Sequence, residues 1–317
     1  MGGVQVRHYG VLPYDLVTLF AACSVYETLP KLVLELHHCG ADLFVPDGQP
    51  QLAALARITR LGIGAHQDDL EFMAFHGIAA CHASDTEWFG GVTCTNGAGS
   101  SRAGTYAQFS DAQMMEKRRE EQRRAASAGR YGIMVQLDYP SAAAKRADCA
   151  ELCDDLKAIL AATTPKVVYT HNLADKHDTH VAVAMHVIRA IRELPRAQRP
   201  EAVYGCEVWR DLDWMLDTDK VVHDVAGQDD LATRVGGVFD SQIAGGKRYD
   251  LAVLGRRRAN ATFFESHGVD QSDAISFAMD LTPLARDDGL DALEYVTAYI
   301  DRFKADAVER LRRYKGK

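Results

Sequence analysis

Short apolar runs alternate with longer amphipathic stretches between residues 57 and 210. Residues 61–65, 88–95, 131–137, 166–169 and 202–208 each read as a buried strand: four to eight residues, apolar or small, bounded by turn residues. Between them, 111–129, 148–162 and 179–193 carry the spacing of helices, with Asp111 as the expected N-cap of the first and Gly129 as its stop. Strands alternating with helices predict βαβ units, hence an α/β fold whose mostly parallel sheet has helices on both faces. Beyond Trp209 the rhythm weakens. Residues 220–225 read as a strand, and 228–240, 250–264 and 292–314 as helices. The basic end of the last helix, Arg312-Arg313-Tyr314-Lys315, suits its own dipole.

Upstream of this alternation, residues 1–56 read as an N-terminal extension that packs on the core. Its largely apolar stretch 16–38 is divided by Pro30, and Val45-Pro46-Asp47-Gly48 is a turn signal. The expected organisation is therefore the 1–56 extension, a 57–210 α/β core, and a 211–317 part within the same domain.

With 317 residues, 47% hydrophobic and 25% charged, the chain can bury a sizeable core. A net charge of −8 argues against nucleic acid as the main partner. Seven cysteines without paired CxxC spacing fit a reducing compartment, and Cys149 and Cys153, one helical turn apart, fit packing better than a disulfide. No signal-peptide or membrane-spanning stretch is present, so a cytoplasmic protein is expected.

The chemistry concentrates at two predicted strand ends. After 61–65 come His66-Gln67-Asp68-Asp69-Leu70-Glu71, an imidazole and two adjacent carboxylates beside a core. Adjacent carboxylates repel, so a cation between them or a proton on one is required. His66 and Asp69, three apart, can share one face while Asp68 points elsewhere. After the strand at 166–169 comes Thr170-His171-Asn172-Leu173-Ala174-Asp175-Lys176-His177-Asp178-Thr179-His180. A ligand from this run would complete a three-ligand site with an open position, the arrangement of catalytic zinc. In parallel sheets, ligands bind outside the carboxyl ends of strands, where both runs fall. Taken singly, His-x-x-Asp and His-x-x-His are more often helix surface than metal ligands; it is the two together that carry weight.

His66-Gln67-Asp68-Asp69-Leu70-Glu71 resembles the HPDD(I/L)E signature of the PIG-L/LmbE-like (N-acetylglucosaminyl deacetylase) family, and Asp175-Lys176-His177-Asp178-Thr179-His180 resembles its DxHxDH segment. The resemblance covers roughly 58–210 and implies a Rossmann-like three-layer sandwich, with 57–210 as the metal-binding catalytic core and a smaller C-terminal part, 211–317, completing the site. It implies a zinc-dependent deacetylase (another divalent metal being acceptable to the same ligands) that cleaves a linear amide C–N bond of an N-acetylated amino sugar or related small conjugate. His66, Asp69 and His180 are then the metal ligands. Asp68 is the general base that activates metal-bound water, and His177 stabilises the oxyanion or protonates the leaving amine. Two departures stand out. Gln67 replaces the usual Pro, which loosens the turn. Thr179 replaces the Asp that normally holds the catalytic His, which leaves His177 less basic, or Asp175 or Asp178 as its substitute. The resemblance also leaves room for a homo-oligomer; neither a nucleic acid nor a membrane partner is implied.

Further candidates lie around these runs. The Gly/Ser-rich loop 96–104 reads equally as an active-site loop or a connector, and Asn96 and Arg102 within it are candidate substrate contacts. Trp209 can stack on a sugar ring or simply pack. Glu265-Ser266-His267-Gly268 is a candidate to reach the site from the C-terminal part. Arg118, Arg119, Glu120 and Glu121 read as a salt-bridged helix face. His37, His38, His76, His82 and His186 read as packing or surface residues. Two other functions compete with deacetylation. A metal-dependent hydratase of a small unsaturated acid would consume a conjugated double bond and release no acetate. A non-catalytic sugar- or metal-binding protein would turn over nothing, and would have no use for Asp68.

Overall fold

A computed structural model describes Met1 and residues 34–315. The chain divides into two units, Met1–Val33 and Leu34–Lys317, and all that follows concerns the second. The apolar stretch expected at 16–38 lies mostly outside the described residues.

Among the described residues, one sheet holds eight strands: β1 Asp42–Phe44, β2 Arg60–Gly64, β3 Phe89–Thr95, β4 Ile133–Tyr139, β5 Val167–His171, β6 Ala202–Cys206, β7 Val221–Asp224 and β8 Ile275–Asp280. Their spatial order is β1-β4-β3-β2-β5-β6-β8-β7. The central five run parallel; β1, β8 and β7 each pair antiparallel with their neighbour. The fold is thus α/β with a mostly parallel sheet, as the alternation predicts. From β2 the chain steps outward through β3 to β4, then returns to β5 on the other side of β2. β2 and β5 are parallel neighbours in the register Leu61↔Val168 and Gly62↔Tyr169. That reversal point opens a crevice at their carboxyl ends, and it sets the two ligand-rich runs side by side.

Helices cover both faces. The buried apolar side of Ala150–Thr163 and of Asp178–Arg192 packs with Leu61, Ile63, Val168 and Val203 of the sheet. On the other face the short helix Asp69–Met73 lies close on β2. There a Cβ at Gly62 would meet the Phe89 ring at 2.7 Å and Leu70 at 3.0 Å, so only glycine permits the approach.

Three local readings change. The helix Asp111–Ala128 is capped by Ser110, not Asp111: Ser110 Oγ accepts from the Gln113 N–H while the Gln113 side chain accepts from the Ser110 N–H. β1 lies within the 1–56 stretch and extends the sheet beyond β4. β8, which the sequence pattern did not announce, inserts between β6 and β7, and Ile275–Met279 is buried throughout. No helix among the described residues is long and apolar enough to cross a membrane. Cys39, Cys81, Cys94, Cys149, Cys153 and Cys206 are free.

Candidate functional site

β2 ends at Gly64, and the chain turns through His66-Gln67-Asp68 into the helix Asp69–Met73. Asp68 takes φ 93°, ψ −29°, a left-handed conformation that costs a non-glycine residue about 1–3 kcal/mol. The surroundings hold it there. Its N–H donates to Gln122 Oε1 at 3.1 Å, and its Oδ2 accepts from both terminal nitrogens of Arg118 at 3.2 Å. Arg118 also donates to the Gln67 carbonyl. Gln67 is buried and its amide donates to the Thr95 carbonyl at 2.9 Å, so this side chain ties the turn to β3 instead of loosening it. Burial pushes the Asp68 carboxyl up to about 7; the Arg118 guanidinium opposes the shift and Asp69 adds to it.

Three donor atoms converge beside Asp68. His66 Nδ1 stands 3.2 Å from His180 Nε2 and 3.3 Å from Asp69 Oδ2, and His180 Nε2 stands 3.4 Å from Asp69 Oδ1. Tetrahedral zinc with bonds of about 2.0–2.1 Å separates its ligands by about 3.3–3.4 Å. Two imidazole nitrogens and a carboxylate facing one another so closely want a cation between them, and the three residues fit a divalent ion. Burial works against charge on Asp69, but the His180 and His171 imidazoles outweigh it and hold the carboxyl well below the usual range. Burial likewise opposes charge on His180, and the Asp69 and Asp175 carboxylates outweigh it and raise its pKa.

A second set, His171, Asp175 and His180, also lies within reach of one ion. Its members are already engaged. His171 Nε2 accepts from the Ala65 N–H at 2.9 Å, and its ring stacks on His180 with centroids 3.8 Å apart. Asp175 accepts from the His177 N–H at 3.0 Å and the Trp209 N–H at 3.2 Å, and faces His180 Nδ1 at 3.4 Å. Asp175 therefore backs the His180 ring and leaves Nε2 facing His66, the geometry by which a carboxylate orients a ligating imidazole.

The His177 ring receives no such support. Among the described residues its buried Nδ1 has no hydrogen-bond partner, and Asp178 is exposed. The ring stacks on His180 at 4.6 Å and on Trp209 at 6.2 Å. Burial, then the His180 and His66 imidazoles, push its pKa down to about 4, so His177 is neutral at pH 7.

These groups line a cavity of about 720 Å³. Asp68, Asp69, His66, His177 and Trp209 face it, as do Gly97, Gly99, Ser100 and Ser101 of the glycine-rich loop. His180 is fully buried beneath. Asn96 and Arg102 do not line it: Asn96 Oδ1 accepts from the Ala98 N–H at 3.1 Å, and Arg102 is bound to the Ala98 carbonyl at 2.7 Å and Asp111 at 2.6 Å. Glu265, Ser266 and His267 are exposed and away from the cavity.

Sequence reasoning missed several wall residues. Arg118, read as part of an exposed ionic face, is 2% exposed and grips Asp68, while Glu121 on the same helix is buried against Ser241. The buried stripe Met114, Arg118, Glu121, Gln122, Ala125 recurs at helical spacing, a signal that alternating charge concealed. Lys145, Lys176, Lys247 and Arg256 also face the cavity, and among the described residues none of the four has a carboxylate within 4.0 Å. Tyr249 and Glu207 complete the wall.

Residues 61–191 match the model of the PIG-L family, described as GlcNAc-PI de-N-acetylase. Three solved structures share the fold. A conserved protein from Thermus thermophilus is 20% identical over 70% of this chain and 94% of its own, with a TM-score of 0.54. The 4-carboxy-2-hydroxymuconate hydratase GalB from Pseudomonas putida is 17% identical over 71% of this chain and 96% of its own, TM-score 0.52. An N,N'-diacetylchitobiose deacetylase from Pyrococcus horikoshii is 16% identical over 69% of this chain and 83% of its own, TM-score 0.51. No curated protein matches the chain.

Proposed function

We propose, from the match of residues 61–191 to the PIG-L family model, that the chain is a metal-dependent deacetylase that hydrolyses the acetamide of an amino sugar or related small conjugate. His66, Asp69 and His180 would hold the divalent ion, zinc in the first instance. Such an ion lowers the pKa of bound water to about 7 and polarises a carbonyl. Asp68 is the general base. Arg118 occupies its Oδ2, which leaves Oδ1 for the cavity and the proton of the attacking water. Asp68 is not among the three converging donors, so base and ligand stay distinct. His177, neutral at working pH, donates its ring N–H to the developing oxyanion; its low pKa argues against an imidazolium in that role. As the C–N bond breaks, the proton held by Asp68 passes to the departing amine, and the products are acetate and a free amine.

The observation that carries this reading is the convergence of His66, Asp69 and His180 beside a separately held carboxylate. The test is an acetate-release screen over N-acetyl sugars with metal analysis of the same preparation. Asp68→Asn should retain metal and lose about 10²–10⁴-fold in kcat; full turnover by that variant would sink the base assignment. A second reading, hydration of a small unsaturated acid, is favoured by the unpaired cations of the cavity. It predicts loss of conjugated ultraviolet absorbance with no acetate formed.

A further inference from the structure

The cavity is cationic in a protein that is not. The chain carries a net charge of −8, yet its cavity is lined by Arg118, Lys145, Lys176, Lys247, Arg256 and Arg257 against only Asp68, Asp69 and Glu207. Asp68 is held by Arg118 and Asp69 by the imidazoles. Glu207 Oε1 accepts from the Asn260 amide at 2.6 Å and the Phe277 N–H at 3.2 Å, while its Oε2 has no hydrogen-bond partner among the described residues and Arg256 acts on it through its charge without forming an ion pair. Arg257 is buried and donates to the Glu71 and Phe72 carbonyls at 3.1 Å, which removes it from the solvent-facing set.

Two of the remaining cations sit on one short segment. Arg256 donates to the Val208 carbonyl, and Lys247 Nζ lies 5.1 Å from the centre of the Trp209 ring. The same indole stacks on His177 at 6.2 Å. Lys247 is thus one aromatic ring away from the reacting centre, Arg256 is bound to the residue before that ring, and Lys176 adjoins His177 in the chain. Unpaired cations gathered in one cleft repel one another unless an anion enters, and a divalent ion at the ligand set would add to the same field.

We propose that the substrate's acetamide-bearing unit also carries an anionic group, a phosphate or carboxylate, held by Lys247 and Arg256 beside Trp209. This deepens the deacetylase reading and rests on it for the acetamide. The anion fixes the sugar ring against the indole and so presents the acetamide to Asp68.

The test is calorimetric binding to chelator-treated protein at low salt. Three probes share one ring: N-acetylglucosamine, its 6-phosphate, and N-acetylmuramate, which bears a carboxylate. At least one anionic probe should bind about tenfold or more tightly than the neutral sugar, with the advantage shrinking as salt rises. Which probe gains assigns phosphate or carboxylate. The Lys247→Gln/Arg256→Gln double variant should bring the ratio of anionic to neutral affinity close to one. Equal affinity for all three in the native protein, no binding of either anion, or an unchanged ratio in the double variant each overturns the proposal. Acetate assays on the metal-loaded enzyme separate the two failures. Tight anion binding with no acetate from any probe would sink the hydrolase and leave the anion site standing. Equal turnover of all three would sink the anion site and leave the hydrolase.

Discussion

Arg118→Met removes the partner that holds the base. Arg118 is 2% exposed, its two terminal nitrogens lie 3.2 Å from Asp68 Oδ2, and it also serves the Gln67 carbonyl. Breaking a buried pair from one side usually costs about 3–5 kcal/mol. Here the cost is limited, because Asp68 can take up a proton. Its carboxyl is raised by burial to about 7; the folded protein therefore binds this proton more tightly than the unfolded chain does. Stability from such a group is complete at acid pH and falls as pH rises to the folded pKa, then levels off. Without Arg118 the folded pKa rises further, so the decline continues past pH 7 where the native protein has levelled. At pH 6 Asp68 is neutral in both proteins and the variant loses about 1–3 kcal/mol, mainly for the stranded Gln67 carbonyl. At pH 8 it should lose about 1.4 kcal/mol more, the worth of one unit of withheld ionisation. Urea unfolding of chelator-treated protein at the two pH values measures both. Adding Asp68→Asn to Arg118→Met should abolish the extra loss at pH 8. A destabilisation independent of pH, or one that persists in the double variant, would refute the coupling of these two residues.

Three further outcomes follow from the same structure. His223 is 5% exposed and burial, then His76 and Arg60, push its pKa down to about 3. Its contribution is whole above the unfolded value and is lost as pH falls from about 6.5 toward 3, so His223→Phe should gain about 2 kcal/mol relative to the native protein between pH 7.5 and pH 5 in urea unfolding. Gly97 has φ +75°, and a Cβ there would sit 2.7 Å from Gln67 Oε1 and 3.1 Å from Arg118 Cγ. Gly97→Ala should therefore cost about 1–3 kcal/mol and depress acetate release; an unchanged melting temperature contradicts the packing. Asp175→Asn should weaken zinc affinity about 10–100-fold in competition with a chromogenic chelator while the fold is kept. Native affinity in that variant would show that Asp175 does not orient His180.

The parts of the molecule legible in the sequence are those where periodicity and chemistry agree. The five parallel strands and the helix Ala292–Tyr314 follow from apolar runs, turn residues and spacing. The two ligand-rich runs stand at strand ends because a strand of five residues ends where its apolar run ends. Adjacency of β2 and β5 then makes a single site of residues 66–69 and 180. What escaped depends on partners distant in sequence. β8 is antiparallel and lies outside the βαβ rhythm, and it is defined by burial between β6 and β7 rather than by alternation of its own. Arg118 looked solvated because its neighbours Arg119 and Glu120 are more exposed, and only the opposing Asp68 makes it internal. The choice of Asp175 for the His180 ring over that of His177 is set by the turn at 172–177, in which Asp175 receives the His177 and Trp209 N–H groups. Arg102 shows the converse: a candidate ligand by composition, it is spent on Asp111 nine residues away.

The central claim, that residues of two neighbouring strand ends hold one catalytic ion, is tested most directly by zinc-edge anomalous scattering from crystals grown with the metal. The account predicts a single peak within about 2.0–2.2 Å of His66 Nδ1, an Asp69 carboxylate oxygen and His180 Nε2, with Asp68 outside that shell. A peak centred on His171 and Asp175, or stoichiometric zinc with no density at His66 and Asp69, would contradict it.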